Sequence, residues 1–173
     1  EMMLKGGAVD LDLTGAYVAA EPSAELDMNL DINEFQMQAL KGFTLGAVKD
    51  GSGSFSGNIK LQGTVVEPEY SGNLQFNQAS FNVAMLNSEF NLPNETLRID
   101  TNGAYFDNFN IQDSNGNAFV LNGEIITESL LNPGFNLDLQ AKNFQLLNST
   151  EEDNDLFYGK AIVDVDAKIT GDL

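Results

Sequence analysis

The sequence predicts an all-β fold: a curved antiparallel sheet of amphipathic strands. Three observations predict it. Apolar and polar residues alternate with period two over long runs. Turn signals rich in Gly and Asn fall between the runs. The apolar phase also slips by one residue at the same place in successive units.

The alternation is clearest in four runs. Val9, Leu11 and Leu13 alternate with Asp10, Asp12 and Thr14. Leu26, Met28, Leu30 and Ile32 alternate with Asp27, Asn29, Asp31 and Asn33. Phe135, Leu137, Leu139 and Ala141 alternate with Asn136, Asp138, Gln140 and Lys142. Ala161, Val163, Val165, Ala167 and Ile169 close the series, with Ile162, Asp164, Asp166 and Lys168 between them. Successive side chains of a strand point to opposite faces, so each run has an oily face and a wet one. That pattern belongs to antiparallel strands covered on one side.

Five segments read as turns: Asp50-Gly51-Ser52-Gly53, Asn102-Gly103, Asn115-Gly116-Asn117, Asn122-Gly123 and Asn132-Pro133-Gly134. Asn and Gly tolerate the positive φ that hairpin turns require. A spacing of about ten residues between turns fits an all-β meander. Helical signal is sparse. Glu34 to Lys41 is the best candidate, although its apolar positions also fit a strand and Gly42 stops it early. Leu130-Leu131, ahead of Pro133, reads as a short turn.

The runs form units: an alternating strand ending in Gly, a connection, a Pro, and a second alternating strand. The glycines are Gly15, Gly63, Gly123 and Gly171, and the prolines Pro22, Pro68 and Pro133. Unequal spacing makes this an irregular repeat within one domain, with units at about 1–48, 49–108 and 109–158 and a truncated unit at 159–173. The phase slip follows the second strand each time, from Ile32 to Phe35, from Phe76 to Ala79, and from Ala141 to Phe144. A slip of one residue turns every later side chain to the wrong face unless a bulge or a turn absorbs it; a bulge that curves the sheet is the simplest expectation at each.

Eight basic residues stand against 26 acidic ones, a net charge of −18. Nucleic acid is bound through Lys and Arg, so that class of partner is excluded. Adhesion to an anionic membrane surface is disfavoured for the same reason. The acidity reads as a solubility device for a chain with much apolar surface. Cys and His are both absent, which excludes disulfides, Cys/His metal sites and His-dependent nucleophile pairs. No apolar run approaches the roughly 20 residues of a membrane-spanning helix. Glu1 to Gly6 lacks the long apolar stretch of a signal peptide, and Lys168 to Leu173 falls in the middle of a strand pattern, so both ends read as cut and the chain is expected to be a fragment of something longer.

Four further patterns invite a chemical reading. Glu151-Glu152-Asp153-Asn154-Asp155 offers oxygen ligands but lacks the ordered spacing of a calcium loop, and reads as a solvated loop. Asp113-Ser114-Asn115-Gly116-Asn117 reads as a turn. Asp10/Asp12, Asp27/Asp31 and Asp164/Asp166 are carboxylate pairs on wet strand faces, without the unequal environments that acid–base chemistry needs. Gly51 to Gly57 lacks the Lys-Ser or Lys-Thr of a phosphate-binding loop and reads as a turn or flexible joint. No catalytic residue, metal or cofactor is expected.

The oily faces carry the functional weight. They fit either the core of a closed β-sandwich or barrel, or the floor of an open groove. The groove would be lined by Leu26, Met28, Leu30, Leu74, Phe76, Phe135, Leu137, Leu139, Val163 and Val165. Alternation alone does not separate the two.

The stretch from Ser56 to Leu74 (Ser56-Gly57-Asn58-Ile59-Lys60-Leu61-Gln62-Gly63-Thr64, then Pro68 and Gly72) resembles the TamB family. That family repeats Gly, alternating strand, Gly-Thr, a short gap, Pro, Gly and a second strand. Ile111 to Gly123 is similar to its strand, Asp-x-x-Gly turn, strand, Gly; Leu137 to Phe144 resembles its strand ending in Asn-Phe. The resemblance implies a sheet folded lengthwise, a β-taco, with an apolar groove inside. It implies a periplasmic protein anchored in the inner membrane of a Gram-negative bacterium. It implies phospholipid acyl chains as cargo, carried or shielded between inner and outer membranes, and support of outer-membrane biogenesis, including outer-membrane protein assembly with a TamA-type outer-membrane partner. A chaperone or template for nascent outer-membrane proteins, and a plain structural spacer, are the alternatives. Dimerisation through exposed groove ends is a further expectation.

Overall fold

Strands with one oily face must find neighbours for their backbones and a cover for that face. All eleven strands among the described residues find their backbone neighbours in a single antiparallel sheet. The structure, a computed structural model, describes residues 1–127, 133–153 and 156–172. Its strands are β1 (Met2–Gly6), β2 (Val9–Val18), β3 (Glu25–Gln36), β4 (Val48–Thr64), β5 (Pro68–Val83), β6 (Ser88–Leu92), β7 (Thr96–Asp100), β8 (Gly103–Gln112), β9 (Ala118–Ile126), β10 (Gly134–Ser149) and β11 (Gly159–Asp172). The order follows the chain, β1-β2-β3-β4-β5-β6-β8-β9-β10-β11, with β7 between β5 and β8.

β6 and β7 behave as one interrupted strand. Both run antiparallel to β5, β6 along Ala79–Val83 and β7 along Ser71–Gln75. Pro93 sits at the break, where it has no N–H to give the ladder. Its carbonyl still accepts from Gln78 N–H at 2.8 Å, and the Glu95 carbonyl from Phe76 N–H at 2.7 Å.

The phase slips are bulges. Register jumps between Ile32 and Phe35 on β3, between Ser52 and Ser54 on β4 opposite β5, and between Ala141 and Phe144 on β10. Further jumps, between Phe106 and Phe109 on β8, between Val48 and Gly51 on β4 and between Gln145 and Leu147 on β10, were not read in the sequence. Gln78, Asn108 and Asn143 supply the extra residue on β5, β8 and β10, with φ of 47°, 48° and 52°. A bulge bends its strand and restores the inward phase beyond the bend. Beside the bulges runs a row of aromatic rings. Phe35 stacks on Phe55 at 4.8 Å between centroids, Phe55 meets Phe76 at 5.9 Å, Phe76 meets Phe109 edge-on at 6.0 Å, and Phe109 meets Phe106 at 5.4 Å. The buried cluster of Met37, Ala79, Leu92 and Phe109 lies on the same line.

Several expectations change. Asp50 to Gly53, and the run on to Gly57, are not a turn or joint but part of β4. A Cβ at Gly51 would press on the Met37 backbone, and one at Gly53 on the carbonyl of Gln78. Those glycines therefore allow close backbone approach rather than a reversal. Asn122-Gly123 likewise lies inside β9, where a Cβ at Gly123 would strike the Asn136 carbonyl. Gly15 and Gly123 do not end their strands but lie three residues inside them, while Gly63 and Gly171 sit one residue from the ends of β4 and β11; all four are at positive φ. The helical candidate is displaced: Glu34 to Gln36 is strand, a 3-10 turn covers Met37–Ala39, and a short helix α1 (Leu40–Phe43) contains Gly42. The Leu130-Leu131 turn lies outside the described residues. Asn102 and Asn115-Gly116 do fall in the β7–β8 and β8–β9 turns. The closed sandwich or barrel is not what forms. Among the described residues β1 pairs only with β2 and β11 only with β10, in the single curved sheet of a β-taco.

Candidate functional site: the apolar face

Residues directly opposed in an antiparallel ladder share a face, so the registers trace one face across the molecule. Leu13 opposes Leu30, Leu30 opposes Ile59, Ile59 opposes Gly72, and Gly72 opposes Ile99. Ile99 then opposes Ala104, Ala104 opposes Ile125, and Ile125 opposes Phe135. No charged or amide side chain interrupts that row from β2 to β10.

All ten expected lining residues fall on this face. Leu26, Met28 and Leu30 come from β3, Leu74 and Phe76 from β5, Phe135, Leu137 and Leu139 from β10, and Val163 and Val165 from β11. Every one is half-buried rather than buried. The face therefore keeps much of its area in contact with solvent. The whole chain exposes 10534 Å², where a folded monomer of 18.8 kDa exposes about 8,300 Å².

The face is concave. In a flat sheet β6 and β10 would lie roughly 14 Å apart, three strand spacings. Here Phe90 of β6 stacks on Phe144 of β10, with centroids 5.7 Å apart and planes inclined by 5°. The β8–β9 hairpin ends at Asp113–Asn117, and beyond its tip β10 turns in to meet β6. A cavity of about 230 Å³ sits there, lined by Phe81, Val83, Leu86, Phe90, Ile111, Phe119, Phe144 and Leu146. These residues were not singled out as a site in the sequence. The signal was present, because the phase slips place Phe81, Val83, Phe144 and Leu146 on the oily face.

Two carboxylates hold this pinch. Asp113 is 2% exposed. Its Oδ1 accepts from the N–H groups of Asn115 and Asn117, at 2.8 and 2.9 Å. Its Oδ2 accepts from Asn117 Nδ2 at 3.0 Å and from Gln145 N–H on β10 at 2.8 Å. Burial pushes its pKa up, but these donors outweigh burial and hold it below the usual carboxylate value. Asp153 forms a clasp at the rim. It takes Lys49 Nζ of β4 at 2.6 Å, and Asn87 Nδ2 and Thr150 N–H at 3.0 and 2.9 Å. The Lys49 contact, then the Thr150 donors, lower its pKa to about 2. Asp153 is thus engaged by Lys49; Asn154 and Asp155 of the same acidic run lie outside the described residues.

The opposite face is polar and acidic. Asn33 Nδ2 bridges Asp10 and Asp12 at 3.2 and 2.8 Å, and Asn58 Nδ2 donates to Asp31 Oδ1 at 2.5 Å. Lys5–Asp10, Arg98–Asp100 and Lys168–Asp138 are ion pairs at 3.2, 3.0 and 3.4 Å. Asp164 is spent on a backbone amide of β10. Most of these wet-face contacts link neighbouring strands, while Arg98–Asp100 lies within β7.

A bent sheet with a polar exterior and an apolar concave face, still partly open to solvent, defines a groove-type β protein. The model of the TamB C-terminal domain matches residues 3–97 and 107–173, so the chain belongs to the TamB family. Comparison with curated proteins and with solved structures gave no match. TamB is a transport and assembly family rather than an enzyme family. Membership suggests a role in outer-membrane protein assembly or lipid transport in Gram-negative bacteria, and implies a periplasmic, envelope-associated protein. No described helix is long and apolar enough to cross a membrane.

Proposed function

We propose that the concave face is a lipid groove. It shields phospholipid acyl chains on their way between the inner and outer membranes, within a protein anchored in the inner membrane and working with a TamA-type outer-membrane partner. The observation that carries this reading is the uninterrupted row of apolar, partly exposed residues from β2 to β10. A patch of that size in water calls for an occupant. Each acyl methylene laid on it contributes on the order of 0.8 kcal/mol, while the head group stays in solvent. The ten half-buried lining residues act together, and no single one is catalytic.

The test is native mass spectrometry of the purified chain. Co-purifying phospholipid is expected, together with displacement by a fluorescent fatty acid. Leu137→Arg should abolish both with the circular dichroism spectrum unchanged. A wild-type chain that carries no lipid and ignores the fatty acid would sink the reading. A second reading, a template for strands of nascent outer-membrane proteins, draws on β1 and β11, each paired on one side only among the described residues. It predicts binding of extended peptide, lost on placing Pro in β11, and equally predicts self-association through those edges.

A further inference from the structure

The cavity between β6 and β10 is built more selectively than a groove floor requires. Its eight lining residues are all apolar, from five strands and the β5–β6 turn. A peptide entering it would leave N–H and C=O groups without partners, and a charged head group would lose its water; hydrocarbon suffers neither penalty. One side is held shut. Leu86 lines the cavity while its carbonyl accepts from Asn148 N–H of β10 at 3.0 Å, and Asn87 Nδ2 donates to the Asn148 carbonyl at 3.2 Å. The Lys49–Asp153 clasp braces the same rim at 2.6 Å.

We propose that this cavity is an end-stop that seats the terminal segment of one acyl chain of a zwitterionic lipid, a proposal that rests on the lipid-groove reading above. Its 230 Å³ takes on the order of eight methylenes, at a volume near the roughly 30 Å³ of a water molecule for each. The head group remains outside, beside a chain of net charge −18, which repels an anionic head group and tolerates a zwitterionic one.

Calorimetry with single-chain phosphocholine lipids of increasing length, at submicellar concentration, tests this. Affinity should rise about fourfold per added methylene and stop rising once the cavity is full. Leu146 is 39% exposed at the cavity mouth, so its replacement spares the fold. Leu146→Ala should move the stopping point to chains about three carbons longer, and Leu146→Arg should weaken binding more than tenfold. If Leu146→Arg fails to fold, the shift with Leu146→Ala decides. A phosphoglycerol lipid of equal chain length should bind more weakly at low salt, with the gap closing as salt is added. Affinity that climbs without a break, unchanged by Leu146→Ala, overturns the end-stop and leaves the groove standing. Equal affinity for the two head groups at every salt concentration overturns the zwitterionic preference. Failure of every chain to bind overturns both the end-stop and the groove.

Discussion

The backbone N–H of Asn143 donates to Asp164 Oδ1 at 2.7 Å, from a residue whose φ is 52°. The bulge between Ala141 and Phe144 takes that amide out of the β10–β11 ladder, and a carboxylate on the neighbouring strand receives it. The device recurs on β8, where Asn108, at a φ of 48°, donates its N–H to Asn122 Oδ1 at 2.7 Å. Asn suits these positions because it tolerates the left-handed region better than other residues with a Cβ. Asp164→Ala should lower stability by about 1 kcal/mol. Asn143→Val should lower it by about 1–2 kcal/mol, and Asn143→Gly should be nearly neutral. Urea denaturation of the three variants measures this.

Much of this architecture is legible in the sequence because an antiparallel strand writes its two faces as alternate residues. The slips at Ile32/Phe35, Phe76/Ala79 and Ala141/Phe144 announce the bends, since an intact ladder does not change phase. The slip at Phe106/Phe109 follows the same rule, and its extra residue is again an Asn. Gly51, Gly53 and Gly123 mislead. Gly marks turns and close backbone approaches alike, and only the neighbouring strand reveals which one is present. Whether the oily face is open was not legible at all. Leu30 or Leu137 would alternate identically in a sandwich, and what distinguishes the two outcomes is the long-range order of the strands. The cavity depends on Phe90 and Phe144, 54 residues apart in the chain, coming into stacking contact beyond a hairpin tip.

Asp113 makes the pinch pH-sensitive. Its pKa is lowered in the folded chain, against about 3.9 when unfolded. The stability it contributes is therefore present above that unfolded value and lost as pH falls through the folded one. Asp113→Ala leaves the part-buried amide of Asn117 and the buried amide of Gln145 without their acceptor and should remove about 3 kcal/mol at neutral pH. Below the folded pKa the gap between wild type and variant should narrow. Urea titrations of both proteins from neutral pH into the acid range measure the gap directly, and a constant gap would contradict the assignment.

The clasp makes a separate prediction that needs no unfolding. Asp153 titrates at about 2 because Lys49 and Thr150 donate to it. Lys49→Met removes the first and largest of those causes, so the Asp153 carboxyl should titrate closer to its ordinary value. Carboxyl-carbon NMR across the acid range reads that shift. Moderate salt should shift the wild-type value in the same direction, because the Lys49 side chain is 38% exposed and the pair is open to screening.

The groove reading separates two properties that a closed core would tie together. Phe109 is 5% exposed and central to the buried cluster; Phe109→Ala should lower stability by about 3–5 kcal/mol. Leu137 is half-buried on the concave face and opposes Gly123 on one side and Ile169 on the other. Ile169 is itself 46% exposed, so a polar side chain at Leu137 can turn toward water. Leu137→Asp should therefore lower stability by about 1 kcal/mol and eliminate lipid carriage. A sheet whose oily face were half of a closed core would show the opposite pairing, with Leu137→Asp as damaging to stability as Phe109→Ala. Thermal unfolding and lipid co-purification, measured on the same two preparations, place the chain on one side or the other.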